Sequence, residues 1–428
     1  MLHINSNSRE ILDKGLKVFS IRGLGYGFGF LFTWLIANKF GSQIQGVFAI
    51  SFLFLSVGAM ISKLGVETSI VKWIASNVQI ENKKSIYIKS LKLIFFNSII
   101  VAAIVFLLAP IIASMYNMQP LEDSLRISAM GIPFLSLLDV SSSFFKGEKK
   151  TTTYSLYFHL AKFLAPFVLL LIFSLNFKVF IEAPIIAYLL GLIIVSSIIL
   201  THIFLIFRKT KKNIKHTSSF KFMISESYPM MVSSAIVMIM GWSDIFILGF
   251  FKTESEIGVY SVAVKLATIV SFIYTALATV VTPKIAGYFF ENNMNKLQET
   301  IGFSSKAIFL FGLPIFIILF SFPSFFLSIF GNEYLEGVAV FRILLVAQLT
   351  NILTGVVGPI FQMTGNQKIL QKFILWSLIL NIIISLSLVN FFGSQGVALG
   401  SAIGMAFWNI MGAIFIYKTM NIKTWIKF

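Results

Sequence analysis

Five ionisable side chains interrupt runs of this sequence that are otherwise apolar: Arg22, Asp139, Lys162, Asp244 and Lys265. Each sits in a stretch of about 20 mostly apolar residues, the length that crosses a bilayer. An ionised group at that depth costs on the order of 2.5–3.5 kcal/mol, so it faces a watery path or a partner of opposite sign. Helical spacing gives each group a face. Arg22 shares a stripe with Gly25, Tyr26 and Gly29, and Lys162 shares one with Ser155, His159 and Pro166. Lys265 lies with Ser261, Thr268, Thr275 and Thr279, the longest polar stripe in the chain. Asp244 is near Met240 and Gly241, and Asp139 is with Ser136 and Ser143. Three cations and two carboxylates cannot all pair off. The pattern therefore assigns Arg22, Lys162 and Lys265, with Tyr26 beside Arg22, to a cation-lined cavity suited to an anionic head group. Asp244 reads either as an ion-coupling carboxylate or as the partner of Lys265. Asp139 reads as a structural ion pair near the cytoplasmic end of its helix. His159 reads as a satisfied bundle histidine, with a proton relay as the alternative.

The elements that must position these groups follow from composition. Of 428 residues, 57% are hydrophobic and 12% charged, against about 25% charged in a soluble domain. The fold class is all-α membrane protein. Twelve spans are expected at 16–38, 44–62, 90–114, 125–145, 153–175, 184–207, 224–250, 258–281, 302–330, 337–361, 370–390 and 397–418. The polar stretch 63–89, which contains Trp73, reads as a helix extension plus an interfacial loop. The first apolar run has no small-residue cleavage site and reads as a retained span.

Charge placement gives the orientation. Of the 34 Lys and Arg residues, only Lys39, Arg126, Lys178, Lys252 and Arg342 fall on the outer segments, and Arg22, Lys162 and Lys265 lie within spans. The rest fall on inner segments, so both termini are expected in the cytoplasm. The halves also repeat. Gln45-Gly46-Val47-Phe48-Ala49 resembles Ile257-Gly258-Val259-Tyr260-Ser261, and Leu125-Arg126-Ile127 resembles Phe341-Arg342-Ile343. Pro110 to Tyr116 resembles Pro323 to Phe330, and Gly147-Glu148-Lys149-Lys150 resembles Gly365-Asn366-Gln367-Lys368. Six spans per half is an even number, so the halves are expected to share one orientation about a pseudo-twofold axis along the membrane normal. The domains are 1–207, a six-helix bundle; 208–222, a basic cytoplasmic linker; and 223–428, a second six-helix bundle.

Several chemistries are excluded. There is no cysteine, and the four histidines are scattered, so no metal site is expected. No phosphate loop of the G-x-x-x-x-G-K-[ST] type and no H-E-x-x-H motif occurs, and no cofactor is implied. The glycine-rich run Gly23 to Gly29 lies inside an apolar helix and reads as a packing face. External loops are too short for a catalytic domain. The reading is a transporter, not an enzyme, with no nucleic-acid partner.

Further motifs carry a family resemblance. Leu35-Ile36-Ala37-Asn38-Lys39-Phe40-Gly41 followed by Gly46-Val47-Phe48-Ala49, Lys63-Leu64-Gly65-Val66-Glu67, Ser227-Tyr228-Pro229-Met230 and Ser243-Asp244-Ile245-Phe246-Ile247-Leu248-Gly249 are four of them. Gly258-Val259-Tyr260 and Phe330-Gly331-Asn332-Glu333-Tyr334 with Arg342-Ile343-Leu344 continue the series. Together they resemble the bacterial O-antigen and capsule repeat-unit (Wzx-type) flippases of the multidrug/oligosaccharidyl-lipid/polysaccharide exporter superfamily. That resemblance implies two helix bundles around a V-shaped cavity in the bacterial inner membrane. It implies a substrate of undecaprenyl-diphosphate-linked sugars, and a polysaccharide polymerase and chain-length proteins as neighbours in assembly. An aspartate at the place of Asp244 is common in the family. Two alternatives stand beside it: a drug or metabolite antiporter of the same superfamily, which should favour an anionic lining, and a scaffold for a polysaccharide assembly complex.

Overall fold

The computed structural model describes residues 6–76, 79–176, 180–208 and 219–425, with side chains from Lys17 onward except at residue 233. Every regular element among them is helical. In chain order these are α1 (Ser6–Lys63), α2 (Val66–Ser76), α3 (Ile80–Met115), α4 (Leu121–Gly147), α5 (Thr151–Ser155), α6 (Lys162–Asn176), α7 (Ala183–Phe207), α8 (Phe220–Phe251), α9 (Glu254–Phe290), α10 (Met294–Ser321), α11 (Pro323–Ser328), α12 (Val338–Thr354), α13 (Val357–Met363) and α14 (Gln367–Met420). A π turn, Leu156–Ala161, joins α5 to α6. Ten helices or joined helices are long and apolar enough to cross a membrane. Two of these, α1 and α14, are each broken once, at Gly41 (φ 85°) and Gly393 (φ 57°). Side chains rarely tolerate those angles and glycine does. With each broken helix counted as two spans, the described residues make twelve, in the predicted order.

The structure departs from the sequence reading in three places. The stretch 63–89 holds the expected extension, since α3 already begins at Ile80, but in place of the loop, 66–76 is a separate amphipathic helix with Trp73 among its buried residues. At 11 residues α2 is too short to span, so no hydropathy run marks it. The span expected at 302–330 stops at Ser321, because Pro323 cannot continue the hydrogen-bond ladder and opens α11 instead. The span expected at 337–361 ends at Thr354, where Gly355 (φ 69°) caps α12 and α13 begins afresh.

The chain forms two compact units, Met1–Ala235 and Ile236–Phe428, with the boundary inside α8. The basic linker expected at 208–222 lies mostly in 209–218, outside the described residues. In the first unit α4 is the central helix: 78% of its most apolar segment is buried, against 17% in α3. Phe32, Phe48, Phe52 and Tyr188 interlock beside it, with Phe52 edge-on to Tyr188 at 5.1 Å between centroids. The amphipathic α2 receives the start of α8. Lys72 Nζ donates to Glu226 Oε1 at 2.6 Å and Trp73 Nε1 to Glu226 Oε2 at 2.8 Å.

The second unit starts its long helix α9 with a capping box. Thr253 accepts from Glu256 N, and Glu256 Oε2 accepts from Thr253 N. The sequence repeat has a structural echo within the two units. Arg126, on the fourth span of the first, lies over the Phe106 ring of the third span at 5.5 Å. Arg342, on the fourth span of the second, lies over Phe320 of the third at 5.7 Å. Each is a cation–π contact between the same two elements in chain order.

Candidate functional site

In the first unit the charged groups gather around α4. Asp139, about two turns from the C-terminal end of that helix, is buried and takes a lysine on each oxygen. Lys63 Nζ, at the end of α1, lies 2.7 Å from Oδ2, and Lys162 Nζ, at the start of α6, lies 3.1 Å from Oδ1. Asp139 is thus in an ion pair, as its residue type and place suggest, and Lys162, read from the sequence as a cavity cation, is one of its two partners. The Lys162 ammonium also lies 5.0 Å from the Phe158 ring centroid. Lys146, near the end of α4, lies 5.5 Å from the Tyr154 ring centroid. His159 is edge-on to the stacked Phe158 and Tyr154 rings, at 4.9 and 5.9 Å. Arg22 is close enough to act electrostatically on Lys146, Tyr154 and His159. The predicted residues Arg22, His159 and Lys162 are therefore brought to one place, together with Lys63, Lys146 and Asp139. Tyr26 is on the same helix as Arg22 and 54% exposed.

Glu67, in the first turn of α2, borders this group through Lys63 and Asp139. Burial raises its carboxyl above the ordinary range, Lys63 opposes that, and Asp139 adds to it.

Two local features set this geometry. The π turn inserts an extra residue ahead of Lys162, so Lys162 does not keep the α-helical stripe with Ser155 that simple spacing gives it. Ser155 is buried instead. The other feature is Gly25. A Cβ there would meet the His159 carbonyl oxygen at 2.2 Å, so α1 presses its backbone directly onto the π turn. Gly27, two residues on, has nothing within 4 Å. Gly25→Val is expected to lower stability by about 1–3 kcal/mol through overpacking against backbone, whereas Gly27→Val should be neutral. Melting temperatures in detergent would check this, and equal effects at both positions would contradict it.

In the second unit Asp244 is buried on α8 among neutral groups. The Ser401 hydroxyl lies 2.7 and 2.6 Å from its two oxygens, and the Tyr260 hydroxyl donates to Oδ2. Asn381 Nδ2 lies 3.4 Å from Oδ1 and 2.9 Å from Ser401 Oγ. Ser385 Oγ donates to Asn381 Oδ1 at 3.0 Å. A buried carboxylate needs compensation. Here two hydroxyls and the Asn381 amide N–H supply it as donors, and if the hydroxyls turn their oxygens toward it the site can take a proton or a small hard cation. Among the described residues no three His, Cys, Asp or Glu side chains come together. Lys265 lies on α9 of this unit, where Thr268, Thr275 and Thr279 are exposed and return their hydroxyls to carbonyls of their own helix.

Sequence reasoning missed Lys63 and Lys146, which read as flanks of spans, and the Tyr260, Asn381, Ser385 and Ser401 shell. A signal existed for the last: Ser377, Asn381 and Ser385 recur every four residues in an apolar run and are all buried.

Comparison with known proteins adds the family. The model of a family described as polysaccharide biosynthesis protein matches residues 11–289, and the MatE model matches residues 229–387. A curated relative, the probable low-salt glycan biosynthesis flippase Agl15 of Haloferax volcanii, is 23% identical over 97% of this chain and 85% of its own length. Among solved structures, lipid II flippase MurJ in an inward closed conformation aligns with a TM-score of 0.77 at 16% identity, covering 94% of this chain and 87% of that one. An inward-facing multidrug resistance MATE family transporter of the MOP superfamily aligns at 0.74 with 16% identity, covering 95% and 98%. At these identities the structural likeness carries the fold.

Proposed function

This chain belongs to the polysaccharide biosynthesis protein family and is a multi-pass membrane transporter rather than an enzyme, and we propose that it flips a lipid-linked oligosaccharide. The finer reading is an undecaprenyl-diphosphate-linked repeat unit for O-antigen or capsule, carried across a bacterial inner membrane. The observation that supports it best is the basic group in the first unit. Arg22, Lys63, Lys146 and Lys162 gather about Asp139 and Glu67, so cations outnumber carboxylates where apolar spans surround them. An anionic diphosphate suits that balance. Arg22 would grip phosphate through its planar fork and Lys162 as a point charge, with Tyr26 and His159 beside them for the sugars. Lys265 serves as a further cation on the substrate's route.

Direction follows from charge. An inside-negative potential drives an anion outward by about 2.3 kcal/mol per charge per 100 mV, so no ATP site is needed. Asp244 adds a place where a proton or monovalent cation can bind and couple to the cycle. Drug antiport is the second reading. It draws on the MatE match over 229–387, but a cationic drug would be repelled by the basic group. Cells lacking this protein should accumulate the lipid-linked precursor on the cytoplasmic leaflet. Normal precursor turnover in such cells, with an antiport phenotype, would favour the second reading.

Orientation is testable separately. Both termini and the 208–221 segment are proposed to be cytoplasmic, from the bias of Lys and Arg. Reporter fusions after Lys215 and after Ser394 should report opposite sides of the membrane. The same side for both would break the span count.

A further inference from the structure

The Asp139 carboxylate is arranged as a small phosphate would be. Two ammonium groups approach it from different helices, one on each oxygen, Lys63 at 2.7 Å and Lys162 at 3.1 Å, and none of the three side chains is more than 13% exposed. Charge-assisted contacts of this kind are how lysines hold phosphate oxygens. Stability does not account for the trio. Buried ion pairs are often matched or bettered by apolar packing of the same volume, because removal from water offsets their attraction. The two lysines are also unequal. Lys63 makes the shorter contact, while Lys162 is longer and, in that same position, also lies 5.0 Å from the Phe158 ring centroid, where an ammonium is attracted by the ring face.

We propose that Asp139 is a built-in substitute for the substrate's phosphate. Without substrate it occupies and orients Lys162. An arriving phosphate takes Lys162 over, while Lys63 stays on Asp139 and keeps that carboxylate compensated. On release Asp139 recaptures Lys162 and so competes the phosphate away. Asp139 is a positioning residue here and does not touch substrate. This rests on the reading that the substrate carries a phosphate.

The test is binding of farnesyl diphosphate to the full-length protein in nanodiscs, with farnesol and inorganic pyrophosphate as controls. Farnesol should not bind, and pyrophosphate binding as tightly as farnesyl diphosphate would assign the site to free anions instead of a lipid head group. Asp139→Asn should bind the probe about tenfold tighter, since the competitor is gone, and Lys162→Gln about tenfold weaker. The gain from Asp139→Asn should vanish in the Asp139→Asn/Lys162→Gln double variant. A general electrostatic effect of the lost carboxylate would leave that gain intact, and so would overturn the exchange. Unchanged or weaker binding by Asp139→Asn overturns it as well. If Asp139→Asn does not fold, Lys63→Met/Asp139→Asn, which removes one charge of each sign, should bind tighter than Lys63→Met alone, and equal or weaker binding contradicts the proposal. If neither wild type nor any variant binds the probe, the phosphate-bearing substrate fails along with the exchange. Wild-type binding with no gain sinks the exchange alone.

Discussion

Replacing Arg22 by alanine is expected to lower the transport rate of the lipid-linked substrate about tenfold to a hundredfold, while Arg22→Lys lowers it several-fold. The guanidinium and a phosphate make charge-assisted contacts worth about 1.5–3 kcal/mol each, and each ~1.4 kcal/mol is a factor of ten. Lysine keeps the charge and loses the paired, planar donors. Arg22 also sits one helical turn from Gly25, which presses on the π turn holding His159, so a packing effect must be separated from a binding one. Melting temperature separates them: Arg22→Ala should fold with a melting temperature close to wild type. Because a phosphate contact differs from a bulk field effect, the graded order Arg, Lys, Ala is the signature. Full activity of Arg22→Ala would remove it from the substrate site. Equal loss in Arg22→Lys and Arg22→Ala would point to shape instead of charge.

The second large effect is expected at Asp244. Asp244→Asn keeps the side chain's size and most of its hydrogen bonding to Ser401, Tyr260 and Asn381 while deleting the charge. If this carboxylate binds the coupling ion, the variant should fold at least as stably as wild type, since a buried charge has been removed. Its transport should no longer respond to collapse of the proton or sodium gradient, and should retain only its response to membrane potential. Under an imposed gradient the rate should fall about tenfold. Rates in proteoliposomes with selective ionophores would check this. An Asp244→Asn protein with wild-type ionophore sensitivity would make Asp244 a structural group.

Much of the fold was legible because bilayer thickness imposes it. Twelve apolar runs stand out, and the breaks at Gly41 and Gly393 fall between them, beside Lys39 and Ser42 in one case and Ser394 and Gln395 in the other. What the sequence hides is shorter or longer in range than a span. The π turn is written in Leu-Tyr-Phe-His-Leu-Ala, which suits an ordinary helix, so its rephasing of Lys162 leaves no local trace. The helix α2 has a clear amphipathic pattern but too few residues to register as a span. The Asp139 trio joins residues 76 and 23 positions apart, and nothing at Lys63 distinguishes a lysine that turns inward from one that marks the membrane edge. At Asp244 the carboxylate was visible and its neutral shell was not, because Asn381 and Ser401 lie on different arms of α14 and only folding brings them together.

The most direct measurement is flipping itself. Purified protein in proteoliposomes, given a fluorescent polyprenyl-diphosphate oligosaccharide and an inside-negative potential, should move the lipid from inner to outer leaflet, where an added glycosidase or lectin reaches it. The rate is expected to exceed that of protein-free vesicles at least tenfold and to fall in Arg22→Ala. Vesicles in which the protein leaves the lipid in the inner leaflet at the protein-free rate, while the same preparation binds or exchanges a cationic drug, would contradict the account.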